Sequence, residues 1–310
     1  MLFLILKGIL GVILLYVGGE MLVNFASSLG RRLGLPDLLI GLTIVAFGTS
    51  APELVASITA ILKGSPGIVV GNVLGSNIAN IGLILALTAM IRPFATGFKK
   101  NWKDFMFLAS SSIFAGFLML RGYVHSAEGI VLLVMFFLYM GYLFKSKSIP
   151  AEKTESAEDK RIRTFMPAVA GIIMGMALLP AGADLLVNSA IGVAVSLGVA
   201  EHILGLTFVA LGTSLPELVT SLVAAARRQG DMCLGNIIGS NIFNVLVVPG
   251  VCSIIGDLSY KPSTISLDII FMLMISAAVI FFSSYGRYLT RGEGAFLFIG
   301  YIGYLIHLVH

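Results

Sequence analysis

Ten apolar windows, set apart by polar residues or Gly and Pro breaks, run through the chain at roughly 2–29, 37–62, 67–91, 105–120, 127–144, 165–195, 200–226, 232–255, 264–284 and 293–309. Several exceed the ~20 residues a helix needs to cross the hydrocarbon of a bilayer. Strands of an outer-membrane barrel are about half that length and alternate in polarity. Spanning helices therefore remain as the way to satisfy the backbone in lipid. With 57% hydrophobic and only 12% charged residues in 310, a soluble globular domain is excluded. The expectation is an all-α polytopic membrane protein of ten transmembrane helices whose environment is the lipid bilayer. The net charge of +4 bears on membrane orientation, and neither a nucleic acid nor an obligate protein partner is implied. The first window has no basic residue ahead of its apolar run and no small-x-small cleavage site, so it reads as the first helix and not as a signal peptide. Cys233 and Cys252 show neither metal-ligand nor disulfide spacing and read as core residues.

The one hydrophilic stretch, Lys145 to Arg163, mixes both charge signs with Ser and Pro and reads as a linker between halves. The halves are copies. Residues 41–57, GLTIVAFGTSAPELVAS, match residues 205–221, GLTFVALGTSLPELVTS, at 13 of 17 positions, 164 residues apart. The same offset aligns 71–80 (GNVLGSNIAN) with 235–244 (GNIIGSNIFN), and Gly18, Glu20, Leu22, Val23 and Asn24 with Gly182, Asp184, Leu186, Val187 and Asn188. The organisation expected is a first five-helix repeat over 1–144, a linker over 145–163 and a second repeat over 164–310.

An odd number of helices per repeat makes the second copy enter the membrane from the opposite face, so the repeats are inverted. The segments after windows 1, 3, 5, 7 and 9 share one side and carry 16 of the 20 Lys and Arg residues, among them Arg31, Arg32, Lys99, Lys100, Arg161, Arg227 and Arg228. The other side has Lys63, Arg121 and Lys261, with Lys7 inside the first window. The positive-inside rule then puts the linker in the cytoplasm and both termini outside, in a multi-pass protein of the cell membrane.

The second window of each repeat is interrupted by Gly-Thr-Ser-x-Pro-Glu, at Gly48 to Glu53 and Gly212 to Glu217. Pro52 and Pro216 lack an N–H, so the carbonyls near Ala46 to Gly48 and Ala210 to Gly212 are expected to lose helical partners. Carbonyls freed at membrane depth need a cavity, a cation or neighbouring protein. Ser50 and Ser57 lie three residues before and four after Glu53, as Ser214 and Ser221 do around Glu217, which gives each carboxylate an oxygen-rich helix face. In the third window of each repeat Asn72, Ser76 and Asn80, and Asn236, Ser240 and Asn244, recur every four residues as one polar stripe, beside Gly71, Gly75, Gly235 and Gly239. For the glycines, helix packing is the leading explanation.

A carboxylate within an apolar span costs about 3 kcal/mol on insertion scales and marks an ion path or relay. Lys7 alone cannot neutralise two glutamates. A hard cation bound by carboxylate, amide, hydroxyl and carbonyl oxygens can. Two ionised glutamates balance one divalent or two monovalent cations, which favours Ca²⁺ in competition with Na⁺ or H⁺, and mutual exclusion at a shared site couples the exchange.

GTSAPE with GNVLGSNIAN, and GTSLPE with GNIIGSNIFN, resemble the paired α-repeats of the sodium/calcium exchanger branch of the cation/Ca²⁺ antiporters, in its compact prokaryotic form. That resemblance implies a core of helices 2, 3, 7 and 8, with long helices 1 and 6 sliding against it. It also implies a ligand set for the transported ion: Glu53 and Glu217, with Ser50, Ser214, Thr49 and Thr213, the carbonyls of Ala46 and Ala210, and Ser76, Asn80, Ser240 and Asn244. Relatives that co-transport potassium typically carry Asp where this chain has Asn244. No cofactor is implied beyond the transported Ca²⁺ and Na⁺ or H⁺. A Ca²⁺/Na⁺ antiporter is the leading reading, with a proton-driven Ca²⁺/H⁺ exchanger beside it and a cation channel as a third. An enzyme is not expected, because Ser50 and Ser214 have no His or Lys base in the same span and no HExxH motif is present.

Glu20 and Asp184, also repeat-related, line an ion vestibule, pair with loop residues or are solvated at helix ends. Trp102, Tyr123, Tyr139, Tyr142, Tyr301 and Tyr304 read mainly as interfacial anchors. The four histidines lie near span ends or loops, and the methionines read as core filler.

Overall fold

The computed structural model describes residues 2–147, 165–196, 212–286 and 288–309. Among them the chain forms ten helical segments: α1 (Leu2–Arg32), α2 (Asp37–Leu62), α3 (Pro66–Ile91), α4 (Phe98–Leu120), α5 (Ser126–Lys147), α6 (Phe165–Ser196), α7 (Leu215–Ala226), α8 (Gly230–Ile255), α9 (Ser266–Tyr285) and α10 (Arg291–Val309). Eight of them, α1 to α6 with α8 and α9, are long and apolar enough to cross a membrane.

Most ends fall within three residues of the apolar windows. α4 is the exception, starting at Phe98 and not at 105. Its first two turns are amphipathic, with Lys99, Lys100, Trp102 and Lys103 exposed while Asn101, Asp104 and Phe105 are buried. A search for continuous apolar sequence passes over such turns. Helix α5 continues through Lys147, so the first three residues assigned to the linker are helical. The rest of the linker lies outside the described residues, as do 200–211 of the seventh window with Ala210 and His202.

The proline expectation holds differently in the two copies. α2 runs on through Pro52, and the irregularity sits upstream as a π-helical segment, Gly41–Val45, that ends at Ala46. Widened turns of this kind recur at functional sites because they loosen the regular backbone pairing. In the second copy the helix does break. Ser214 is a turn residue with φ −89° and ψ 0°, and α7 starts anew at Leu215 with Pro216 in its first turn, where the missing N–H costs nothing.

Helix α8 is the centre of the bundle, with 89% of its apolar window buried against 22% for α1. Glycines let its neighbour come this close: a Cβ on Gly235 would sit 2.4 Å from the Leu38 carbonyl, and one on Gly41 2.4 Å from that of Met232. Backbone therefore meets backbone where α2 crosses α8. The long helices α1 and α6 pack antiparallel in the same way. A Cβ on Gly11 would lie 2.8 Å from the Gly182 carbonyl, and one on Gly18 3.2 Å from that of Gly175. Gly11 is the repeat mate of Gly175, and Gly18 that of Gly182, so the crossing looks the same from either helix.

Two short antiparallel ribbons tie the halves together. Phe94–Ala95 pairs with Tyr288–Leu289, and Tyr123–Val124 with Leu258–Ser259, each ribbon taking one strand from each half. The turns that close α2 and α7 are also equivalent. Gly64 has φ +69° and its repeat mate Arg228 φ +63°, a left-handed conformation that costs a non-glycine residue about 1 kcal/mol.

Candidate ion-binding site

The motif residues converge where α2, α3, α7 and α8 meet. Glu53 on α2 is 1% exposed and Glu217 on α7 0%. Thr49, Ser50, Ser57, Ser76, Asn80, Ser214, Ser221, Asn236, Ser240 and Asn244 are buried with them. A direct bond joins the glutamate helices: Ser50 Oγ donates to Glu217 Oε1 at 3.0 Å. The reciprocal bond, Ser214 to Glu53, is not made. Both carboxylate oxygens of Glu53, Oε2 of Glu217 and Oγ of Ser214 have no hydrogen-bond partner among the described residues.

The asparagines divide into two kinds. Asn72 Nδ2 donates to Ser57 Oγ at 2.8 Å and to the Glu53 carbonyl at 3.0 Å, clamping α3 onto the helix that carries Glu53. Its repeat mate Asn236 donates to Ser221 Oγ at 3.0 Å and accepts from Thr49 Oγ1 at 3.2 Å, joining α8 to α7 and α2. These two position the site. Asn80 uses its Nδ2 on Asn241 Oδ1 at 2.9 Å, which leaves its own carbonyl oxygen without a partner. Among the described residues, neither side-chain atom of Asn244 has a hydrogen-bond partner, and Ser240 Oγ is also unpaired.

Sequence reasoning missed one pair of residues. Asn77 and Asn241 are repeat mates within the same motifs, and Asn241 Nδ2 reaches the Asn77 carbonyl at 3.3 Å. The signal was there in the second of the three Asn residues of GNVLGSNIAN and GNIIGSNIFN. It falls off the four-residue stripe, whose spacing favours Asn72 and Asn236.

Of the other expected ligands, the Ala46 carbonyl accepts from Thr49 Oγ1 at 3.3 Å, and Ser76 Oγ lies 3.4 Å from Asn72 Oδ1. Thr213 is partly buried just before Ser214, and Ala210 lies outside the described residues. Neither glutamate is paired with a Lys or Arg among the described residues. Buried, unpaired polar oxygens are costly, and a cluster of carboxylate, amide and hydroxyl oxygens without sulfur or imidazole suits a hard cation.

Away from the site, Glu20 is ion-paired with Arg227 at the end of α7 and accepts from Asn24 Nδ2 at 3.3 Å. Three tyrosines read as anchors are core residues instead. Tyr139 donates to buried Asp104 at 3.0 Å and Tyr304 to Asp268 at 2.9 Å, while Tyr301 is buried on α10. A phenol with a carboxylate to bond is satisfied inside the bundle, which a single-window reading cannot see. Trp102 and Tyr142 are exposed, as anchors should be, and both cysteines are free and buried.

Comparison with known proteins bears on this arrangement. The family model described as sodium/calcium exchanger protein matches residues 3–145 and 167–309. The chain belongs to that family. It is 33% identical over 353 residues to "Sodium/calcium exchanger MaX1" of Methanosarcina acetivorans, covering 99% of this chain and 98% of that one. It is 34% identical to the inner membrane protein YrbG of Escherichia coli, over 86% of this chain and 85% of the other. Its fold superposes on the sodium-calcium exchanger NCX_Mj, soaked with Na⁺ and no Ca²⁺, with a TM-score of 0.86 and 33% identity, covering 99% of both chains. The chain is thus a multi-pass membrane protein of a cation antiporter family, built almost wholly of helices.

Proposed function

We propose that this chain is a secondary-active antiporter that exchanges Ca²⁺ for Na⁺ by alternating access to one shared site. The observation that carries this reading is the pair Glu53 and Glu217, buried on facing helices, unpaired with any Lys or Arg among the described residues and linked by the Ser50–Glu217 hydrogen bond. Two carboxylates held together in an apolar bundle repel each other unless protons or cations neutralise them. One Ca²⁺ or two Na⁺ match that charge.

The ligands assigned to the transported ion are the carboxylates of Glu53 and Glu217, the hydroxyls of Ser50, Ser214, Ser76 and Ser240, and the amide oxygens of Asn80 and Asn244. Thr49, Thr213 and the Ala46 and Ala210 carbonyls complete the set. The unpaired atoms of Glu53, Glu217, Ser214, Ser240, Asn80 and Asn244 support this assignment.

The ten helices form two inverted five-helix repeats, 1–144 and 164–310, around a cytoplasmic linker at 145–163, with both termini outside the cell membrane. The twofold-related glycine crossing of α1 with α6 and the strand exchange between halves support inversion. The name of the Methanosarcina relative supports Na⁺ as the driving ion.

Purified protein in proteoliposomes provides the test. Ca²⁺ uptake driven by an outward Na⁺ gradient is expected, with little response to a pH gradient alone. Uptake driven only by the pH gradient would assign the protein to proton exchange, and Ca²⁺ flux that persists with no counter-ion opposite would make it a channel.

A further inference from the structure

The two copies are nearly alike in sequence but unlike in what covers them. On α7, Val219 and Val223 lie under α1, where a Cβ on Gly19 would be 3.1 Å from Val219 Cγ1, and Val223 is only 5% exposed. Their repeat mates on α2, Val55 and Thr59, are uncovered, and Val55 is 63% exposed. Helix α6 touches α2 elsewhere, with Met176 against Gly48, more than a turn away.

The charges follow the same division. Glu20 of α1 is ion-paired with Arg227, at the end of the covered α7 face. The repeat mate of Glu20 is Asp184 on α6, exposed, and the repeat mate of Arg227 is Lys63 at the end of the uncovered α2 face, also exposed. Acid and base thus recur at the same two places in each repeat. In the second case they are not paired with each other, and among the described residues Asp184 accepts from its own-helix neighbour Asn188 Nδ2 at 2.8 Å.

We propose that these four residues form a pair of exchanging latches: the Glu20–Arg227 ion pair holds the conformation described here, and Asp184–Lys63 forms in its place when access changes sides. This rests on the alternating-access reading above. The backbone-to-backbone glycine contacts lock α1 to α6, so the two helices move as one unit. Motion that lifts α1 off the Val219 face then brings α6 over the Val55 face, and the inverted repeat makes the second contact a copy of the first. The two latches are unequal. Arg227 engages Glu20 through both Nε and a terminal guanidinium nitrogen, a fork that Lys63 cannot reproduce, and Asp184 has the shorter side chain. The conformation closed at Arg227 is therefore the resting one when no gradient is imposed.

Pulsed EPR on the full chain in nanodiscs tests this, with spin labels at the exposed repeat-related pairs Val17–Ala226 and Leu62–Ala181. The unmodified latches should give a short Val17–Ala226 distance and a long Leu62–Ala181 distance as the main population. Arg227→Glu should move population toward the reverse pattern by about threefold or more, the scale of a partly exposed ion pair, and Lys63→Glu should move it the other way. Glu20→Arg combined with Arg227→Glu restores the pair with its charges swapped and should return the original distribution, which separates a latch from a folding defect. Unchanged distributions in both single variants, or broadening of both distances without exchange between them, would overturn the proposal. Because the distances are read without transport, Ca²⁺ flux that fails while the distributions shift would count against the assigned cargo and not against the latches.

Discussion

Ser50 and Glu217 belong to different halves of the chain, 167 positions apart, yet the Ser50 hydroxyl donates to the Glu217 carboxylate at 3.0 Å. Their repeat mates Ser214 and Glu53 do not make this bond, although the residues are the same. The site is thus asymmetric in the conformation described, with one oxygen of Glu217 satisfied by Ser50 and both oxygens of Glu53 without a hydrogen-bond partner among the described residues.

Ser50→Ala removes a hydrogen bond to a carboxylate, an interaction worth about 1.5–3 kcal/mol when one partner is charged. The expected result is a Ca²⁺ half-saturation concentration raised by about tenfold or more in proteoliposome uptake, with the folded protein unchanged on gel filtration.

Glu53→Gln and Glu217→Gln keep volume and hydrogen-bonding capacity while removing charge. Each should abolish Ca²⁺ uptake without loss of expression or monodispersity, because a neutral amide is cheaper than a carboxylate in the bundle when no ion is bound. Wild-type uptake in both variants would refute a shared two-carboxylate site.

Asn236→Ala leaves Ser221 and Thr49 without the amide they share, and Asn72→Ala does the same to Ser57. Each should lower the thermal midpoint in detergent by several degrees, on the scale of about 1–3 kcal/mol for a buried polar group left unpaired. Asn244→Ala, whose amide has no hydrogen-bond partner among the described residues, should leave the midpoint nearly unchanged and instead weaken cation binding, read by calorimetry.

Gly11→Ala would put a methyl group 2.7 Å from the Leu186 backbone nitrogen, so α1 and α6 must separate. Slower exchange and a lower midpoint are expected. Gly303→Ala, with open space around its Cβ position, should be neutral or slightly stabilising, since alanine favours helix more than glycine does.

The spans were legible to within a few residues because the signal is local: apolar length and Gly or Pro breaks are properties of consecutive residues. The amphipathic start of α4 escaped for the same reason, because its helical continuation depends on what Asp104 and Phe105 are buried against. The two glutamates stood out because carboxylates are rare within such spans and repeat-related ones rarer. Tyr139 and Tyr304 misled because an aromatic near a span end looks identical whether it faces headgroups or a buried aspartate.

Sequence alone, then, determined the all-helical membrane class, the duplication at a constant offset and the oxygen-rich motifs around Glu53 and Glu217, since each is written along the chain. Only the tertiary structure decided which oxygens bond to protein and which have no partner among the described residues, and that Asn72 and Asn236 brace helices. It also decided that α1 covers α7 while α2's equivalent face is bare. Those outcomes depend on how glycine-lined helices cross, as at Gly41 against Gly235 and Gly11 against Gly182. Two copies of nearly one sequence are free to adopt different neighbours, because helix-to-helix contact is set by the packing of the whole bundle and not by either copy alone.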